Sequence, residues 1–94
     1  MHLAILDANI DLVSTMLSLG ANSNAKNNND ETPLHFAVEV RFVRGILLLL
    51  KHGAELEAED VEGCTPMDWA MSSDDDDSVG IVRLLLGLGA KMRT

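Results

Sequence analysis

Apolar positions along the chain fall in short periodic groups separated by polar stretches. In the middle of the sequence Leu34, Ala37 and Val38 stand at i, i+3 and i+4, which places all three on one face of a short helix. Thr32 suits the N-cap of that helix. Pro33 suits its first turn, where the missing N–H costs nothing. Residues 43–52 form a second apolar-rich stretch, stopped by Gly53 as a C-terminal cap. Residues 54–64 are polar and acidic, contain Gly63, and read as an extended loop with a turn. The pattern predicts helix, turn, helix and long loop. Neither helix reaches the roughly 12–15 residues at which an isolated helix becomes stable, so each must bury its apolar face on a neighbour.

The neighbours are copies of the same unit. Thr32-Pro33 recurs 33 residues on as Thr65-Pro66, Gly20-Ala21 recurs as Gly53-Ala54, and Ala4, Ala37 and Ala70 share that spacing. Gly89-Ala90 comes after 36 residues, so the last unit carries a three-residue insertion near positions 73–78. Leu3, Phe36 and Trp69 each precede the repeated alanine, and the apolar set Val13, Met16 and Leu17 returns as Ile46, Leu49 and Leu50 and then as Val82, Leu85 and Leu86. The boundaries fall at about 1–26, 27–59 and 60–94, one domain of three units stacked as a solenoid.

Composition narrows the function. Seven Lys and Arg against 15 Asp and Glu give a net charge of -8 over 94 residues, which argues against binding to nucleic acid or to an anionic membrane surface. The longest apolar run, residues 84–90, is far short of the roughly 20 a membrane helix needs. The N-terminus has no Lys or Arg before Lys26, and Asp7 and Asp11 break its apolar stretch, so it does not read as a signal peptide. A single cysteine, Cys64, makes no internal disulfide and points to an intracellular, reducing compartment, cytoplasm or nucleus.

Catalytic chemistry finds no footing. His2, His35 and His52 include no i, i+4 pair with a carboxylate between, and one cysteine makes no thiolate zinc site. Acidic neighbours do not favour a Cys64 thiolate. Residues 87–91 lack the spacing of a phosphate-binding loop and come after a helix rather than a strand. The run Asp74-Asp75-Asp76-Asp77 fails as a calcium loop, because Val79 and Leu86 stand where oxygen ligands are required. It reads instead as a solvated turn, with Asp77 or Ser78 capping the last helix. No enzyme activity, metal or cofactor is expected.

Thr32-Pro33-Leu34-His35-Phe36-Ala37 and Leu49-Leu50-Lys51-His52-Gly53-Ala54, with their counterparts in the outer units, resemble the ankyrin repeat family over nearly the whole chain. The resemblance implies an all-α solenoid of helix-turn-helix units joined by hairpin-like loops, acting as a protein–protein interaction module. It implies that His35 bridges backbone and the Thr32 hydroxyl, and that loop tips and first helices form a concave face for a protein or peptide. By register the contact positions are Leu6 and Asp7 in the first unit. In the second they are Asn28, Asn29, Glu31, Glu39 and Val40, and in the third Val61, Glu62, Cys64, Ser72 and Ser73. Trp69, in register with Leu3 and Phe36, is expected in the core. Asn24 falls where the family carries hydroxylated asparagines, although its neighbours fit that use poorly.

Glu55, Glu57, Glu59, Asp60 and Glu62 crowd one loop, whereas Arg41, Arg44, Lys51 and Arg83 fall on the second helices or their turn. Such polarity favours a basic partner, mainly through encounter rate and specificity, or else serves solubility alone. The sequence departs from the family at three places in the middle unit. Arg41 replaces the usual glycine between the helices. Gly45 stands inside the second helix where the other units have Leu12 and Ile81, so residues 46–50 are expected to shift into the gap. Leu47 stands where they have Ser14 and Arg83, and is expected at the surface. The first unit begins inside its first helix, and the last helix lacks a polar outer conversion. These features suit either a piece of a longer array that associates through its ends or three repeats that suffice alone.

Overall fold

The computed structural model describes Ile5, residues 10–72 and residues 76–90, with the side chains of 76–78 excepted. Leu6, Asp7 and Ser73 lie outside the described residues. Among the described residues five helices can be bounded: α1 Ile10–Ser18, α2 Pro33–Glu39, α3 Val43–Lys51, α4 Pro66–Met71 and α5 Asp76–Gly87. The described residues are all-α, with no strand among them.

Packing within each unit sets α2 on α3 and α4 on α5. Packing between units sets α2 on α4 and α1 on α3. The first helices therefore stack in an inner layer and the second helices in an outer one, with one apolar core running between. Ile5, Val13, Leu34, Ile46, Leu49, Met67 and Leu85 are fully buried there. Each such side chain contributes roughly 1.5–3 kcal/mol relative to exposure. The short inner helices owe their existence to this burial and to their caps. Thr32 and Thr65 sit in extended backbone and accept from the N–H groups of His35 and Asp68, whose side chains return the bond to the cap N–H, and Pro33 and Pro66 come next in the chain. Gly53, at φ 90°, turns the chain out of α3 as a non-glycine residue would not.

The irregular positions resolve in physical terms. Arg41 is held at φ 58°, in the left-handed region, so the inter-helix turn keeps its shape despite the side chain, at a cost of about 1–2 kcal/mol. The Arg41 N–H reaches Val38 O at 3.1 Å and the Phe42 N–H reaches Ala37 O at 2.8 Å. The gap at Gly45 is not filled by a shift of residues 46–50. The buried Phe42 ring lies over it, touching the position a Cβ would occupy through Cδ2, with Cε2 at 2.7 Å and Cγ at 3.0 Å. Gly45 is thus the partner of Phe42 rather than a defect in the helix. Leu47 is at the surface, 44% exposed. The last helix is already formed at Asp76, so Asp77 and Ser78 lie inside it and neither is its N-cap.

Substituting Gly45→Ala should therefore destabilise the protein by about 1–3 kcal/mol through overpacking, against the gain of about 1 kcal/mol that helix propensity alone would give. Chemical denaturation measures the sign. In a Phe42→Ala background the same change should no longer destabilise, and a raised midpoint in the wild-type background would refute the pairing.

Candidate functional site

The site is built around one buried imidazole. His35 Nδ1 accepts from the Thr32 N–H at 3.1 Å and lies 2.8 Å from Thr32 Oγ1. Nε2 lies 2.8 Å from the carbonyl of Cys64 in the next unit. A carbonyl only accepts, so Nε2 carries the hydrogen, Nδ1 is the acceptor, and the Thr32 hydroxyl donates to it. His35 thus caps its own helix and fastens the next loop to it, extending the bridge anticipated from the sequence.

The two loop tips use one device 33 residues apart. Asn27 Oδ1 accepts from the N–H groups of Asn29 and Glu31, and Asp60 Oδ1 accepts from those of Glu62 and Cys64. Each tip closes through a backbone bond, from Asn27 N–H to Glu31 O and from Asp60 N–H to Cys64 O, and the Val61 N–H joins them by donating to Asn29 O at 3.0 Å. The other oxygen of Asp60, Oδ2, accepts from the Trp69 indole N–H at 3.1 Å. Trp69 also meets His35 and Phe36 edge to face, with ring centroids 4.9 and 5.7 Å away. Half-buried rather than wholly in the core, the indole is fixed on three sides.

Between the tips and the inner helices lies a groove of about 400 Å³. Glu31, Glu39, Glu62, Cys64 and Ser72, all anticipated as contact positions, line it. The other anticipated positions among the described residues do not. Asn28, Asn29 and Val61 are exposed on the tips, and Val40 packs against the core. Asp60, anticipated among the acidic residues of the loop, lines it too, whereas the sequence reading missed Asp68, Trp69 and Arg41 as groove residues, along with the floor formed by Val38, Ala70 and Ile81. Five carboxylates therefore line the groove together with the indole and Arg41. Partial burial by itself would raise the Asp60 pKa. The Cys64 N–H, the Trp69 indole and the Glu62 N–H outweigh it and hold the carboxyl below its ordinary 3.8.

The first unit is fastened to the second by a comparable clasp. Asn24 donates from Nδ2 to Gly53 O at 3.0 Å and accepts from the Glu55 N–H at 2.6 Å, while Ser23 Oγ donates to His52 O at 3.0 Å. Both ends of the Asn24 amide are engaged across the repeat boundary. Among the described residues, no three His, Cys, Asp or Glu groups are placed to hold a metal ion, and no helix is long and apolar enough to cross a membrane.

This arrangement of capped inner helices, paired loop tips and stacked units has a family. The family model for ankyrin repeats matches residues 1–94 in three copies, and the chain belongs to the ankyrin repeat family. It is 36% identical over 87 residues to an ankyrin repeat protein of fowlpox virus (strain NVSL), covering 87% of this chain and 26% of that protein. It is 43% identical over 58 residues to ankyrin repeat and SOCS box protein 11 of Danio rerio, covering 62% of this chain and 20% of that protein. Inversin of Homo sapiens is 33% identical over 61 residues, 65% of this chain and 6% of its own length. The chain thus spans about a quarter or less of each of these relatives. Ankyrin repeats are in general protein–protein interaction modules and typically carry no enzyme activity of their own.

Replacing Asp60→Asn should free the indole, because an amide nitrogen in place of Oδ2 faces the Trp69 N–H donor to donor. Trp69 emission should change, and stability near neutral pH should fall by about 1 kcal/mol. The folded pKa of Asp60 is depressed, so its contribution is present above the ordinary carboxylate range and lost as pH falls through the folded value. The stability gap between wild type and variant should accordingly be full at neutral pH and close below about pH 4. A gap that persists into acid would contradict the carboxylate's role.

Proposed function

We propose that this module binds a protein or peptide segment of basic character in the acidic groove, with one partner Lys or Arg entering beside Trp69. The observation that carries the reading is the conjunction of five lining carboxylates with an indole held in place by Asp60. A cation beside an indole ring gains about 0.5–2 kcal/mol, and the surrounding carboxylates add long-range attraction. Glu39 is exposed at the end of α2 and Glu62 on the second tip, and neither side chain has a hydrogen bond or ion pair among the described residues. Both are open to a partner. Asn28, Asn29 and Val61 on the tips supply outer contacts, and Leu6, Asp7 and Ser73 extend the same face by register.

Binding here needs no catalytic group, cofactor or metal. The net charge of -8 favours neither nucleic acid nor an anionic membrane as partner. A single half-buried cysteine suits an intracellular, reducing compartment. The three units near 1–26, 27–59 and 60–94 then serve as one rigid support for the face. A second reading, self-association through the repeat ends, is favoured by the exposure of Val79, Leu86 and Leu88 on and after α5. Light scattering at rising concentration reports it as a growing molar mass.

The main reading is tested with fluorescein-labelled Lys/Arg peptides and matched Asp/Glu peptides by anisotropy. The basic peptides should bind, more weakly as salt rises, with a change in Trp69 emission. The double change Glu39→Lys, Glu62→Lys should weaken binding about tenfold or more. Binding of both peptide classes alike, untouched by salt and by charge reversal, would overturn the proposal.

A further inference from the structure

We propose that the outer groove between α1 and α3 is a second docking surface, fitted to an acidic amphipathic helix of a protein partner. The inference does not depend on the inner groove, which lies in the other layer of the fold.

The outer groove has a volume of about 350 Å³ and is lined by Ile10 and Ser14 of α1 and by Arg44, Leu47, Leu48 and Lys51 of α3. The four α3 residues stand at i, i+3, i+4 and i+7, so they form one stripe of the helix. The stripe reads cation, two leucines, cation. Seven residues separate Arg44 from Lys51, a rise of about 10.5 Å, which sets the charges at the two ends of the apolar pair. Both cations are exposed, and neither has a hydrogen bond or ion pair among the described residues. No carboxylate among the described residues lines the groove, and Asp11, in register with Arg44 on α1, is outside its lining.

Repeat architecture does not demand this apolar floor. Leu47 is 44% exposed, and its counterparts in the other units are Ser14 and Arg83. Nor does solubility demand the charges, since the chain as a whole carries -8. A groove between two helices receives the ridge of a third, and the recurring mode is an amphipathic helix whose apolar positions repeat at i, i+3, i+4 and i+7. The complement of this stripe is a helix with Glu or Asp at i and i+7 flanking leucines at i+3 and i+4. The inner face would repel that helix while Arg44 and Lys51 attract it. The module would then carry two surfaces of opposite sign on opposite layers, able to join a basic and an acidic partner.

Two synthetic helical peptides test this, one with Glu at i and i+7 around Leu at i+3 and i+4, the other with Lys replacing each Glu. Each is titrated into the isotope-labelled full chain, and amide shifts are tracked by NMR. The Glu peptide should shift the amides of Ile10, Ser14, Leu47 and Leu48 and leave that of Trp69 unmoved. The double change Arg44→Glu, Lys51→Glu should weaken it about tenfold or more. Leu47→Ser, which installs the residue the first unit already has there, should weaken it with no loss of thermal stability. The proposal is overturned if the Glu peptide does not bind, or binds at the inner groove. It is equally overturned if the Lys peptide binds the outer groove as well, or if the same amides shift with protein concentration alone, which would assign the groove to a second copy.

Discussion

The bond from His35 Nε2–H to the Cys64 carbonyl sets the geometry of the inner face. The imidazole is fully buried, so each of its polar atoms needs a partner, and an orphan costs about 1–3 kcal/mol. One ring nitrogen is used by Thr32 to start α2, and the other reaches 29 residues ahead to the next loop. The loop is thereby placed relative to the inner helix of the preceding unit. Asp60 belongs to that loop, the indole of Trp69 hangs from Asp60, and the groove is the space these groups leave against α2 and α4. The shape of the site is a consequence of how one repeat is tied to the next.

The third unit shows the same cap with a different chemistry. Asp68 takes the place of His35 and accepts from the Thr65 N–H at 3.0 Å, so helix initiation is preserved. A carboxylate has no N–H with which to hold a further loop carbonyl, and its charge is instead turned into the groove. A substitution neutral for local structure thus changes the face that a partner meets. Core positions specify the stack, and the positions that alternate with them specify charge and shape, which is why fold alone does not determine a partner.

Much of this was legible from spacing. The repeated Thr-Pro and Gly-Ala pairs located caps and helix ends closely, since those residues act through local backbone geometry. The depth of the groove was not legible. Register equated Trp69 with Leu3 and Phe36 and so read it as core, but the indole is longer and carries a donor, which finds Asp60 nine residues back and leaves the ring half-exposed. Gly45 read as a gap for residues 46–50 to fill and its pairing with Phe42 went unseen, because a ring folding onto its own helix three residues on leaves no periodic trace. Register placed Val40 on the face, and as the C-cap of α2 it is half-buried against the core, a depth that spacing alone does not give.

Native-state hydrogen exchange over rising denaturant tests the central claim, that repeats two and three form one cooperative unit through His35. The amide of Val40, bonded to Phe36 O, reports on α2, and those of Trp69 and Ser72, bonded to Thr65 O and Asp68 O, report on α4. The account predicts that the three converge on one opening free energy in the wild type, and that in His35→Ala the α4 amides separate to a lower one. Separate opening of α4 in the wild type, or an unchanged pattern in His35→Ala, would contradict it.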